Sequence, residues 1–262
     1  MPDERAGEAM DIAATSGGRR AMRVVLFDID GTLLTTGGAA RESFARALSE
    51  AAGRPIDPTG YSFSGKTDPQ IARDILSANG ITGDRLRTCI PESIRLYVRY
   101  FAEAAPRSEK ARLMPGVREL LEALAARHDA RTALLTGNVE AGARLKLGQF
   151  DLTRFFDFSL SCFGSDDGDR YRLPALALER ARRALGDGIA GDRLVLVGDS
   201  EHDVLCGRSI GARSVAVATG WTSAQTLRSL RPDAFLEDFS DTRRAVEAIL
   251  SSAGHAGDAR AN

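Results

Sequence analysis

Arg23-Val24-Val25-Leu26-Phe27-Asp28-Ile29-Asp30-Gly31-Thr32 is the stretch whose reading decides the fold. An apolar, partly β-branched run that stops at two carboxylates reads as a buried parallel strand carrying charge to a sheet edge. Side chains alternate faces along a strand, so Asp28 and Asp30 can point into one crevice. Adjacent carboxylates repel, and they persist where a cation or a shared proton compensates them. Taken alone, Asp-Gly also reads as a solvated turn or a helix cap. The rest of the chain decides between the two.

Outward from this run, strand and helix alternate. Strand-like segments occur at Val24–Phe27, Thr132–Thr136, Phe158–Ser161, Leu194–Val197 and Ser214–Ala218, with a weaker one at Ala234–Leu236. Helical periodicity lies between them at Val117–Arg127, Glu140–Leu147, Pro174–Leu185, Asp203–Ile210 and Ala224–Leu230, and a helix from Ser240 to Leu250 closes the chain. This order predicts an α/β fold, a Rossmann-like doubly wound parallel sheet with helices on both faces. Only helical patterns fill the interval after the first strand: Ala40–Ala52, Pro69–Asn79, Asp84–Thr88 and Glu92–Ala104. That is too long for a loop, so residues 37–113 are read as an inserted helical domain within a core of 22–36 and 114–250. Gly37-Gly38 and Met114-Pro115-Gly116 are the expected hinges. The polar, Gly- and Ala-rich ends, 1–21 and 251–262, are read as disordered tails.

The 262 residues carry 43% hydrophobic and 27% charged side chains with a net charge of −1. Nothing in that balance points to nucleic acid or a membrane surface as a partner. No apolar stretch spans a bilayer, and the N-terminal residues lack the apolar centre of a secretory signal. Cys89, Cys162 and Cys206 show neither a disulfide framework nor metal-ligand spacing, which fits a cytoplasmic protein. Lysines are rare: Lys66, Lys110 and Lys146 are the only ones. Monomer and homodimer remain equally open.

Ligands of open α/β sheets bind at the carboxyl ends of the strands. There the first strand carries Asp28 and Asp30, the second Thr136-Gly137-Asn138, and another Gly198-Asp199-Ser200 with Asp203 one helical turn on. Asp28 is placed as a nucleophile towards phosphorus and Asp30 as the proton-transfer group. Gly31 and Thr32 offer N–H groups to an anion, although Gly31 is equally explained by turn geometry. Thr136, Gly137 and Asn138 either hold phosphate oxygens or cap the following helix. Asp28 with Asp199 gives an oxygen-rich site suited to Mg²⁺, with Asp203 ligating directly or through water. A phosphate dianion among these carboxylates also needs a positive side chain. Arg170 is preferred for that role over Arg172. Lys66, in the loop Ser64-Gly65-Lys66-Thr67-Asp68-Pro69, is a substrate-contact candidate, while Thr67 and Asp68 are accounted for as a helix start. His202 reads as peripheral, and Trp221 as a packing anchor.

This ordered set resembles the haloacid dehalogenase superfamily of phosphohydrolases over roughly Arg23 to Leu250. Asp28-Ile29-Asp30-Gly31-Thr32 is similar to its first motif, Thr136 to its second and Gly198-Asp199-Ser200-Glu201-His202-Asp203 to its fourth. The helical insertion is similar to the family's first type of cap. Gly65-Lys66-Thr67-Asp68 resembles the cap loop of phosphoglycolate-phosphatase-like members. The resemblance implies Mg²⁺ held by Asp28, the Asp30 backbone carbonyl and Asp199. One departure stands out: the lysine usual in the third motif is missing from its region, and Arg170 or Arg172 has to replace it. Asp30 argues against a true dehalogenase, for which the resemblance implies an aromatic residue there.

The expected activity is that of a Mg²⁺-dependent phosphatase acting on a small phosphorylated metabolite, phosphoglycolate-like or a sugar phosphate, through an aspartyl-phosphate. The alternatives are a phosphomutase similar to β-phosphoglucomutase, or a non-catalytic binding module.

Overall fold

The computed structural model describes residues 22–251; the two expected tails lie outside these, apart from Ser251. Strand β1 (Arg23–Phe27) is followed by the two-residue β2 (Leu34–Thr35) and helices α1 (Ala39–Ala52), α2 (Asp68–Ala78) and α3 (Gly83–Ala104). After β3 (Arg112–Leu113) come α4 (Val117–Ala125), β4 (Ala130–Leu134), α5 (Glu140–Gly148), α6 (Leu173–Leu185) and β5 (Leu194–Gly198). The chain closes with α7 (Glu201–Cys206), β6 (Arg213–Val217), α8 (Ala224–Ser229), β7 (Ala234–Leu236) and α9 (Thr242–Leu250). The main sheet has the order β4-β1-β5-β6-β7 and every pairing in it is parallel.

Strand alternation sorts the core into two layers. Val25 and Phe27 of β1, with Val195 and Val197 of β5, pack against Leu120, Leu124, Leu147 and Ile249 on one face. Val24, Leu26, Leu194 and Leu196 pack against Leu173, Ala177, Ala181 and Cys206 on the other. Burial of each large apolar side chain contributes about 1.5–3 kcal/mol, and both faces of β1 and β5 are filled this way. This explains why the strands read as continuous apolar runs.

Helices α1, α2 and α3 enclose a separate apolar cluster that includes Phe44, Leu48, Ile75, Leu96, Tyr97 and Phe101. Three helices form here where the sequence shows four helical patterns. The interruption before Glu92 comes from Pro91, which lies inside α3. Proline removes one helical hydrogen bond, but the buried face runs through it from Cys89 and Ser93 to Leu96, Tyr97, Tyr100 and Phe101. Packing therefore overrides the proline. β2 and β3 pair antiparallel, Leu34 with Leu113 and Thr35 with Arg112, so the outgoing and returning linkers form one short ribbon. Gly37 and Gly38 follow it with φ of 63° and 102°.

The segment Phe158–Ser161 is not a strand. Asp157 turns the chain instead: its Oδ1 accepts from the Ser159 N–H at 3.0 Å and the Ser159 hydroxyl at 2.6 Å. Its carbonyl accepts from Leu160 N–H at 3.2 Å. Such local side-chain bonds compete with a ladder, and only Cys162 retains a bridge, to Leu135. The helix expected from Asp203 starts two residues earlier, because Ser200 and Asp203 form a capping box, and it tightens to 3₁₀ geometry over Gly207–Ile210. Among the described residues no helix is long and apolar enough to cross a membrane.

Candidate active site

The carboxyl ends of β1 and β5 bring Asp28, Asp199 and Asp203 together, all buried, with one carboxylate oxygen of each within 4.8 Å of the others. Each is fixed by neighbours. The Thr32 hydroxyl donates to Asp199 Oδ1 at 2.9 Å. Asp203 Oδ2 accepts from the Ser200 N–H at 2.9 Å and the Ser200 hydroxyl at 2.6 Å. Asp199 is also enclosed by glycine: a Cβ on Gly31 would lie 2.6 Å from its Oδ2, and one on Gly220 would lie 1.6 Å away. Gly31 has a φ of 86°, so both its conformation and its position exclude a side chain.

Arg170 is buried against this trio. Its Nη2 lies 3.4 Å from Asp28 Oδ1, 3.4 Å from the Leu135 carbonyl, and in direct contact with Asp203 Oδ1. Arg172 has its side chain 72% exposed and pairs with Asp167 at 3.7 Å and Asp169 at 3.8 Å. Of the two arginines, Arg170 is the one that meets the acidic trio.

One guanidinium among three carboxylates leaves the cluster short of positive charge. Burial first, then Asp203 and Asp30, pushes the Asp28 carboxyl up to about 6 against the pull of Arg170 and a Thr136 hydrogen bond. Burial, with Asp203 and Asp28, raises Asp199 well above the usual carboxylate range. Buried carboxylates in excess of cations, with only oxygen donors, fit a hard divalent ion. Asp28 and Asp199 suit direct ligation, since both oxygens of Asp203 are engaged by Ser200 and Arg170.

Asp30 sits on the cavity side of the same edge and is held from the loop that follows β4. Asn138 Nδ2 donates to its Oδ2 at 2.8 Å and to the Thr136 hydroxyl at 2.8 Å. Thr136 is fully buried, and its hydroxyl serves this internal network. Gly137 packs its backbone against Lys66, whose carbonyl would lie 2.0 Å from an added Cβ.

A cavity of about 500 Å³ opens in front of these groups. Asp28, Asp30, Asn138 and Arg170 line its floor, and Phe44, Phe63, Ile71 and Tyr97 of the insertion form its roof. Lys66 lines it as well, with Nζ donating to the Tyr61 hydroxyl at 2.7 Å and 3.4 Å from Asp74. Trp221 is not a packing anchor: it is 75% exposed and stands at the cavity wall. His202 is peripheral, meeting Tyr171 edge-on and filling the space beside Gly65.

Two buried residues join the insertion to the core: Asp68, read from the sequence only as part of a helix start, and Lys146, which that reading gave no role. Asp68 accepts from Val139 N–H at 2.8 Å, while its own N–H donates to the Gly137 carbonyl at 2.8 Å. Burial raises its carboxyl to about 6, opposed by Lys146 and the Val139 bond. Lys146 is 4% exposed, and its Nζ donates to Asp30 Oδ2 at 2.6 Å and to Asn138 Oδ1 at 2.5 Å. Burial pulls this ammonium down, but Asp30, Tyr97 and Asp68 together hold it above its ordinary value. Helical periodicity carried the missed signal: Lys146 shares the apolar stripe of Ala143 and Leu147.

Over residues 22–211 the sequence matches the family model described as haloacid dehalogenase-like hydrolase. The chain belongs to this family. It is 30% identical over 240 residues to a phosphoglycolate phosphatase of Agrobacterium fabrum, covering 89% of this chain and 96% of that one. It is 25% identical over 224 residues to pyrophosphatase PpaX of Halalkalibacterium halodurans, covering 84% and 94%. A predicted phosphoglycolate phosphatase from Haemophilus somnus has the same fold, with a TM-score of 0.64, 22% identity and coverage of 86% and 98%.

Proposed function

We propose that this hydrolase is a Mg²⁺-dependent phosphatase that cleaves a small phosphorylated metabolite, phosphoglycolate-like or a sugar phosphate. The observation that carries the reading is the Asp28–Asp199–Asp203 cluster with Arg170, open to a cavity whose other wall is the insertion. Two relatives named phosphoglycolate phosphatase and pyrophosphatase support an organic phosphate or pyrophosphate as substrate class. Three buried free cysteines suit a reducing cytoplasm.

Asp28 attacks phosphorus, and the bond from phosphorus to the leaving oxygen breaks as the aspartyl-phosphate forms. Asp30 gives its proton to that leaving oxygen. In the second half Asp30 takes a proton from water, the water oxygen bonds to phosphorus, and the bond from phosphorus to the Asp28 oxygen breaks, releasing phosphate and restoring the free carboxylate. Arg170 neutralises the phosphoryl oxygens and holds Asp28 in line. Asp28 and Asp199 would hold Mg²⁺, which would supply Lewis-acid withdrawal of charge from the phosphoryl group. The insertion, residues 37–113, acts as a cap that excludes bulk water while the ester is intact.

A phosphate-release screen over phosphorylated metabolites with Mg²⁺ tests the reading. Turnover that disappears in Asp28→Asn is the expected result. Undiminished turnover in that variant rules out the covalent route, and transfer to a second substrate hydroxyl in place of phosphate release points to a mutase.

A further inference from the structure

Lys146 occupies a position that charge neutralisation alone does not explain. A buried ammonium is costly unless several partners meet it, and its four partners come from two different bodies. Asp30 and Asn138 belong to the core edge, at 2.6 and 2.5 Å. Asp68 and Tyr97, from α2 and α3 of the insertion, are the buried groups that act on the same ammonium from the other side.

Asp30 is gripped through one oxygen. Both Lys146 and Asn138 donate to its Oδ2, and no hydrogen bond among the described residues reaches its Oδ1. The side chain keeps 37% exposure on the cavity side. Asn138 is itself fixed, because its amide donates to Asp30 and Thr136 while its oxygen accepts from Lys146. The grip depends on the seating of the insertion, since Asp68 bonds the backbone on either side of Asn138.

We propose that Lys146 is a positioning residue for Asp30: with Asn138 it holds Oδ2 so that Oδ1 faces the leaving oxygen, and Asp68 and Tyr97 complete the grip when the insertion is seated. This role rests on the phosphatase reading with Asp30 as the proton-transfer group. It makes a demand that a purely structural ion pair does not. Protonation matters most for a basic leaving oxygen, so loss of the grip penalises alkyl esters more than aryl esters.

The test uses the full chain with Mg²⁺ and two substrates, glycerol 2-phosphate and p-nitrophenyl phosphate. Lys146→Met is expected to lower kcat on the alkyl ester by about 10²-fold and on the aryl ester by at least about tenfold less, with KM little altered. Lys146→Arg restores part of the alkyl-ester rate. Asp68→Asn and Tyr97→Phe shift the same ratio in the same direction by about three- to tenfold, and they decide the matter alone if Lys146→Met does not fold. Equal losses on both esters, or an unchanged ratio in all these variants, overturn the role of Lys146 while leaving the phosphatase reading intact. Wild-type protein inactive on every phosphate ester overturns the parent reading and the proposal with it.

Discussion

Arg170 Nη2 lies 3.4 Å from Asp28 Oδ1 while also meeting Asp203, so one guanidinium joins two strand ends of the acidic cluster. Removing it leaves two buried carboxylates facing each other without compensation. Arg170→Ala is therefore expected to lose about 10²–10³-fold in kcat, the range for deleting one preorganised charge donor. Arg170→Lys recovers only part, since an ammonium cannot span both partners. Exposed Arg172 provides the contrast: Arg172→Ala stays within about twofold of wild type. Steady-state rates of the three variants check this.

The Asp28 carboxyl stands at about 6 against an ordinary 3.8, chiefly through burial. The native state thus binds this proton more tightly than the unfolded chain does. For the metal-free protein, the Asp28 contribution to stability falls as pH rises from about 4 to about 6, by roughly 3 kcal/mol. Asp28→Asn removes that slope and raises the Tm of the metal-free protein at neutral pH. Denaturant melts at several pH values in a chelator measure it. A steeper loss in the variant than in wild type contradicts the prediction.

Metal addition works in the opposite sense. Mg²⁺ at a hundred times its Kd is expected to stabilise the fold by about 2.7 kcal/mol, or a Tm rise of about 5–10 °C for a chain of this size. Chelation reverses the shift and stops turnover. Asp199→Asn, which weakens the ligand set without touching Asp28, is expected to lose most of the thermal response. Calorimetric titration gives the same answer independently.

Gly137 has no room for a side chain: an added Cβ meets the Lys66 carbonyl at 2.0 Å, backbone against backbone. Gly137→Ala is expected to push the insertion from its seat at a cost of about 1–3 kcal/mol. If that cost falls on the closed form, kcat/KM drops about five- to 150-fold, while the melting of the core changes little. A loss of Tm without a loss of kcat/KM contradicts it.

Much of this architecture is written in local pattern. The buried strands β1 and β5 are apolar throughout because both faces are covered, and their ends announce Asp28 and Asp199. What escaped is decided by distant partners. Phe158–Ser161 has strand-like composition, yet Asp157 bends it. Pro91 signals a break, yet the face it shares with Leu96 and Tyr97 keeps α3 whole. Lys146 and Asp68 are ordinary helix residues by sequence, 78 positions apart, and acquire meaning only when the insertion lies on the core. The hydroxyl partners of Thr32 and Thr136, Asp199 and the Asn138–Asp28 network, were likewise out of reach of the sequence.

Trp221 is the only tryptophan of the chain, and it stands three-quarters exposed at the wall of the cavity. Its indole emission therefore comes from one known spot, free of contributions from other indoles. An ester that fills the cavity against that ring is expected to shift its emission. Trp221 thus offers an optical reporter of occupancy that needs neither an attached dye nor an engineered probe: titration with a phosphate ester is expected to move the emission, and the loss of that response in Trp221→Phe assigns it.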